Sequence, residues 1–468
     1  MDDFGLLNPA WAGTRAAELT SDSAFGQAML DVEAAWCRAQ IRFGTAPATI
    51  DDAVAAASHI GDYDLGAIAA QTPDGANALI PLLSALRDNV STHQAAAAQY
   101  VHRGATSQDI IDTALMLVAS RAGEHILTNM KTAVRQLSAT ATEHAHTVMI
   151  GRSLDQHAQP ITFGYRVSQW VAALGSASQH FETVVDNLPL QWGGAVGTST
   201  WWVDYFKADQ PEADPMELVN RQRDLLAQEL NLLSAPVWHA NRVPVLQLGQ
   251  TAFQVTAAAA KLANDVLTSV QAENAELTEP TKPGRGGSSA MPHKNNPVLS
   301  IRLKHAAQEA SGQLNTLQTG IISNTAERAD GGWHTEWSAL RGLLRLTGAV
   351  SEILVELTDG LEVHTKAMRH NLGIHGNAVF LGRLTQWLAP IVEAHGAAEP
   401  GSGKRLVESI STTAMANDDD LAQALVAQLP DGVVTVKAIE KILDPSGYTG
   451  GAASIVAEVH SRYRKWSS

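Results

Sequence analysis

"QTAFQVTAAAAKLANDVLTSVQAENAELTE", Gln250 to Glu279, holds neither Gly nor Pro. Leu262, Val266 and Val270 recur at i+4, which is one face of an α-helix. With its preceding turn the run makes about 45–50 Å of helix at a rise of about 1.5 Å per residue. That exceeds what one globular domain needs and suits a long bundle. Val298 to Asn324 and His334 to Leu357 carry a similar pattern, and Met29, Val32, Trp36, Ala39 and Phe43 fall on one helix face near the start. Alternating Val/Ile/Thr runs between Asn-Gly or Asp-Gly turns are nearly absent. The expected fold is all-α.

The chain has 468 residues, 45% of them apolar, enough for large cores and roughly three domains at about 150 residues each. A net charge of −15 argues against nucleic acid or an anionic membrane as the main partner. Cys37 is the lone cysteine, so no intrachain disulfide forms, which fits a reducing compartment. It sits on an apolar helical pattern and reads as a packed thiol. The start "MDDFGLLNPA" has no basic region followed by an apolar one, so it does not read as a signal peptide. No uncharged apolar run is long enough to span a bilayer. A soluble, cytoplasmic protein is expected.

Loop signals divide the helices at "HRGATS" (102–107), "GRSLDQHAQP" (151–160), "LPLQWGGAVGTST" (188–200) and "HGAAEPGSGK" (395–404). The strongest break is "GRGGSSAMPHKNNP", 284–297. From Thr281 to Gln308 there is no Asp or Glu, while Lys282, Arg285, Lys294, Arg302 and Lys304 are present. Glycines let successive N–H groups approach a ligand, as in an anion nest. Pro297 before an apolar run predicts a helix start whose positive dipole end faces the same anion. The spacing is not that of a phosphate-binding P-loop. No His/Cys/Asp/Glu set has metal-ligand spacing, and "HTEW" is not H-E-x-x-H, so neither a metal nor a cofactor is expected.

"GSSAMPHKNNP" resembles the G-S-S-x-M-P-x-K-x-N-P signature of the fumarase/aspartase superfamily. "VHRGATSQDIIDTALML" and "GRSLDQHAQPITFG" resemble its first and second conserved regions, in the same order. "ERADGGWHTEW" and "LDPSGYTGGAASIV" look most like the 3-carboxy-cis,cis-muconate cycloisomerases within it. The resemblance implies three helical parts: residues 1–108, a central long-helix bundle over 109–364, and 365–468. It also implies a homotetramer whose active sites are shared between subunits, and a small polycarboxylate as substrate.

Family members move a proton on carbon next to a carboxylate, through a carboxylate-stabilised carbanion. Such a site needs a base and preorganised donors around the carboxylate. The resemblance makes Ser288 the catalytic acid or base. It places Lys294 and Asn296 on a substrate carboxylate, with Ser289, Thr106, Ser107, Ser153 and Gln156 as further polar contacts. Arg242 and Arg328 are candidates for other carboxylates, because a guanidinium matches a carboxylate bidentately. Thr106 and Ser107 are also placed to cap the following helix. Asp109 reads as structural, favouring the helix dipole, and Arg328 equally as an ion pair with Glu327 or Glu336.

Leu154 departs from the pattern. Fumarases and adenylosuccinate lyases carry "GRTH" where this chain has "GRSL". A histidine there helps an alcohol or amine to leave, whereas a carboxylate leaving group has a pKa near about 4 and needs no such proton. Leu154 therefore points to an acidic leaving group. Internal carboxylate addition to carboxymuconate fits, and so does a substituted succinate such as nitrosuccinate releasing nitrite.

Overall fold

The computed structural model describes residues 4–287, 290–291, 293–395 and 401–468. Its helices include α1 (Asp22–Phe43), α2 (Ser107–Glu143), α3 (Phe163–Val185), α4 (Thr200–Asp209), α5 (Val243–Ser269), α6 (Val298–Ile322) and α7 (Gly331–Asp359). The described strands form two-stranded antiparallel pairs, β1 (Val148–Ser153) with β2 (Gln156–Thr162), and β3 (Leu277–Thr278) with β4 (Glu362–Val363). The all-α expectation holds.

By contacts the chain forms two compact units. Unit one comprises Met1–Met130, Ser176–Ala260 and Ile301–Val355; unit two comprises Lys131–Gly175, Lys261–Ser300 and Glu356–Ser468. In unit one, Ser21 accepts the N–H of Ala24 and starts α1, and Gly44, at φ 92°, stops it. Trp36, Ala39 and Val32 are buried on its predicted face, with Met29 and Phe43 half-buried. Leu30 and Cys37 join Ile50, Val54, Leu82, Leu86 and Val90 in a separate apolar cluster. In unit two, Leu384, Leu388, Val407, Ile410 and Leu425 form the C-terminal core.

Two sequence expectations change. The run Gln250 to Glu279 is helical only to Ser269. Past it, Asn274 donates to the Thr268 carbonyl, Ala275 takes φ 47°, and Leu277–Thr278 pairs as a strand with Glu362–Val363. Local side-chain bonding of this kind competes with helix propagation, so the lack of Gly and Pro did not extend the helix. "GRSLDQHAQP" is the tip of a β-hairpin rather than an open loop. Ser153 pairs with Gln156 across Leu154 and Asp155, at φ 50° and 59°. Positive φ at both central residues is the type I′ geometry that matches strand twist.

Among the described residues, no helix is long and apolar enough to cross a membrane.

Candidate active site

Unit one contains a built cradle at the start of α2. Asp109, completely buried, accepts the backbone N–H of Thr106 at 3.0 Å. This is the return half of a capping box, with Asp in the place of Glu. Its two oxygens also accept from Gly193 N at 2.8 Å, Gly194 N at 2.9 Å and the Gln191 side chain at 3.3 Å, and His239 Nε2 lies 3.0 Å away. One carboxylate therefore fixes both the "HRGATS" turn and the glycine loop of "LPLQWGGAVGTST". The structural reading of Asp109 stands, and its reach extends beyond the helix end.

With its backbone held there, Thr106 presents its hydroxyl to Arg328, whose Nη1 donates to Oγ1 at 2.9 Å. The guanidinium lies 5.3 Å from the Trp333 ring centroid. Among the described residues no carboxylate comes within 4.0 Å of it, so the ion pair with Glu327 or Glu336 is absent. Thr106, Ser107 and Arg328 are half-buried. Two hydroxyl residues thus stand at the positive end of a 37-residue helix, next to an arginine without a carboxylate, a local charge balance that favours an anion.

Arg242 does not belong to that cradle, and the expectation that it binds substrate is corrected. Its side chain is 1% exposed and spans two buried carboxylates. Nη1 and Nη2 donate to Asp112 at 2.7 and 3.0 Å; Nε and Nη2 donate to Glu336 at 3.0 and 2.6 Å. The fifth N–H, on Nη1, faces the His239 carbonyl at 3.5 Å, so the fork has no donor left for a ligand. Burial alone would disfavour its charge, but Asp112 and Glu336 outweigh that and hold it protonated. Glu336, the second carboxylate on one cation, is pushed above the usual range by burial, against Arg242, with Asp112 adding to the rise. Trp333 Nε1 donates to Asp112 at 2.9 Å, so this buried network underpins the ring beside Arg328.

Unit two carries the other expected residues. Ser153 and Gln156 face each other at the exposed hairpin tip. Beneath them Arg152 makes two hydrogen bonds to Glu276, at 3.0 and 2.8 Å, and a third to Asn274 at 3.0 Å. Arg166 lies 3.5 Å from the same carboxylate and Asn371 donates to it at 3.0 Å. Glu276 was not singled out from sequence, because nothing local marks it as the anchor of a hairpin more than a hundred residues earlier.

Burial pushes the Glu276 carboxyl up. Hydrogen bonds from Arg152 and Asn371 and the charges of Arg152 and Arg166 outweigh this and hold it below the usual carboxylate range. The stability it contributes is therefore complete above the unfolded value, about pH 4.3, and is lost as pH falls through the lower folded value. Glu276→Gln leaves two arginines facing a neutral amide. It is expected to cost about 3–5 kcal/mol at pH 7, and the gap to wild type should narrow below about pH 4. Urea unfolding at both pH values checks this.

Leu154, at the tip, is 96% exposed as well as left-handed. A bulky L-residue there costs about 1–2 kcal/mol. Leu154→Asn is expected to stabilise the protein by about 1 kcal/mol in a thermal melt, since Asn tolerates this turn position.

The loop at 284–297 is pinned at its base. The Asn296 N–H and side-chain amide both donate to the Gly286 carbonyl at 2.9 Å. Gly286 takes φ 71°, and a Cβ there would lie 2.6 Å from Asn295 Oδ1 and from the Asn296 carbonyl. Asn296 therefore braces the loop with the amide nitrogen expected to hold substrate. Lys294 is exposed, with no carboxylate within 4.0 Å among the described residues. Ser288 and Ser289 lie outside the described residues.

The local positive field is smaller than the acid-free sequence implied. Arg285 and Lys282 both pair with Glu356. The N-terminus of α6 is not open to an anion either. Glu279 caps it, accepting from Leu299 N at 2.9 Å and Ser300 N at 2.8 Å. Among the described lysines and arginines of the loop, Lys294 is left for a ligand. Among the described residues, no group of three or more His, Cys, Asp or Glu is placed to hold a metal ion.

The long-helix fold, the Thr106–Arg328 cluster at a helix start and the asparagine-braced lysine loop are those of an enzyme of a superfamily that acts on small polycarboxylates. Residues 9–312 match the family model described as lyase, and the chain belongs to that family, within the fumarase/aspartase superfamily. It is 36% identical over 457 residues to the nitrosuccinate lyase of Streptomyces davaonensis, covering 97% of this chain and 94% of that one. It is 33% identical over 460 residues to the 3-carboxy-cis,cis-muconate cycloisomerase of Bradyrhizobium diazoefficiens, covering 96% of each. The crystal structure of the 3-carboxy-cis,cis-muconate lactonizing enzyme from Pseudomonas putida superposes with a TM-score of 0.88 at 30% identity, over 99% of this chain and all of that one.

Proposed function

We propose that the chain lactonises 3-carboxy-cis,cis-muconate, as a homotetramer of three-part subunits in the catabolism of protocatechuate through β-ketoadipate. One substrate carboxylate adds through oxygen to an alkene carbon. The displaced electron pair moves to the neighbouring carbon, where the adjacent carboxylate takes up the charge. Thr106, Ser107 and Arg328 supply donors that stabilise this anion, and Lys294, Ser153 and Gln156 supply others from neighbouring subunits of the tetramer. Ser288 delivers the proton to carbon, which completes a carboxymuconolactone.

Leu154 carries the part of this reading that concerns an acidic leaving group. At the hairpin tip, between Ser153 and Gln156, it offers no proton, and a carboxylate leaving in the reverse direction needs none. The similarity to cycloisomerases over nearly the whole chain supports the same conclusion.

A second reading, elimination of nitrite from nitrosuccinate to give fumarate, is favoured by the 36% identity to the Streptomyces lyase. It uses the same cradle and satisfies the Leu154 argument equally. Side-by-side assays separate the two. Loss of carboxymuconate absorbance supports lactonisation. Fumarate and nitrite released from nitrosuccinate, with carboxymuconate untouched, would replace it by the lyase reading.

A further inference from the structure

Two features of unit one have no part in the carboxylate cradle: the segment "TSTWWVDYFKADQPEADP" (198–215), and Arg103, just ahead of Thr106. They meet. Helix α4 presents Trp201, Trp202 and Tyr205, and the Arg103 guanidinium lies 5.0, 5.4 and 4.9 Å from their ring centroids, with Tyr100 at 5.5 Å. Trp201 and Tyr205 are stacked, 5.6 Å apart with an interplanar angle of 7°. Arg103 Nη1 donates to the Thr45 carbonyl at 3.0 Å, and the Arg103 carbonyl accepts from Trp36 Nε1 at 2.9 Å. Among the described residues no carboxylate lies within 4.0 Å of this guanidinium. Ring faces therefore hold its charge, an interaction that a planar guanidinium makes better than an ammonium.

The clasp grips a strained piece of backbone. His102 and Gly104, on either side of Arg103, are both left-handed, at φ 62° and 69°. A Cβ on Gly104 would lie 2.2 Å from Trp202 Nε1, so α4 presses directly on the turn. Two residues later the chain enters α2 through Thr106.

We propose that Arg103 is a positioning residue: the α4 rings clamp it, and so hold the Thr106 and Ser107 hydroxyls against Arg328 for a substrate carboxylate. This rests on reading those three residues as the carboxylate site. The clasp touches no reacting atom. Its loss loosens donors that meet the substrate carboxylate in the ground state and the anion in the transition state, so KM rises and kcat falls with it.

Arg103→Met is expected to raise KM about tenfold or more, with a smaller fall in kcat. Arg103→Lys should recover only part of the loss. Tyr205→Phe, which keeps the ring, should match wild type. Steady-state kinetics on carboxymuconate and nitrosuccinate test this, beside thermal melts and calorimetric titration with tricarballylate, an inert tricarboxylate. Unchanged KM and tricarballylate affinity in a folded Arg103→Met protein would overturn the proposal, as would a loss confined to kcat. Should Arg103→Met not fold, Trp201→Leu, which trims a 46% exposed ring, takes its place with the same outcomes. If wild type turns over neither substrate, the reaction reading falls while the titration still judges the clasp. Failure of wild type to bind tricarballylate as well would sink both.

Discussion

Arg242→Met is expected to lose about 3–5 kcal/mol of stability, a large share of a usual net of about 5–15 kcal/mol. Removing the guanidinium strands Asp112 and Glu336, both without solvent exposure, in a site built for three charged groups. The cost is the uncompensated burial of carboxylates rather than the lost attraction alone. Circular dichroism in urea checks it. A folded variant with near-native stability, defective only in KM, would return Arg242 to the substrate site. Sign helps to discriminate further. Glu336 is held above the usual carboxylate range, so its ionisation disfavours the folded state as pH rises from the unfolded value, about 4.3, through the higher folded one. Wild type therefore has opposing slopes at Glu276 and Glu336, and Glu336→Gln should flatten only the second.

The second large effect is catalytic. Ser288→Ala is expected to lower kcat by about 10²–10⁴-fold, the usual contribution of a positioned acid or base, with KM and melting temperature close to wild type. A rate assay on the preferred substrate, checked against solvent-exchange of the product C–H, reads the proton step. Full activity in the variant would remove Ser288 as the donor and leave the carboxylate cradle as it stands. Lysine and arginine contacts would then supply electrostatic stabilisation without identifying the acid.

Much of the helical architecture was legible because helices write their period into adjacent residues. The apolar repeat in Val298 to Asn324 predicts α6 within two residues of its observed end. The 102–107 turn and the loop after residue 188 were equally plain from glycine and polar clustering. The hairpin at 148–162 was not, since its tip uses Leu154 and Asp155 where Asn-Gly would announce the turn. Nor was the end of α5, which side chains rather than Gly or Pro terminate.

The candidate site divides in the same way. Motifs proposed Thr106, Ser107, Lys294 and Arg328, because such chemistry depends on residue type at close spacing. They also proposed Arg242 for a role its surroundings forbid. An arginine has the same side chain whether it waits for a substrate or is spent on two buried acids. The difference lies in Asp112 and Glu336, which folding brings from 130 residues before it and 94 after it. Likewise an acid-free sequence window suggested a strong positive field, while Glu279, just before it, caps the helix and Glu356, far downstream, pairs the loop cations.

By itself the sequence determined the all-helical class, the superfamily and the absence of a proton donor at Leu154, since each is a property of residue types in order. Only the tertiary structure decided which charges are free to meet a ligand. Electrostatic and hydrogen-bond satisfaction is a matter of distance and burial, and the partners that settle it come from remote parts of the chain.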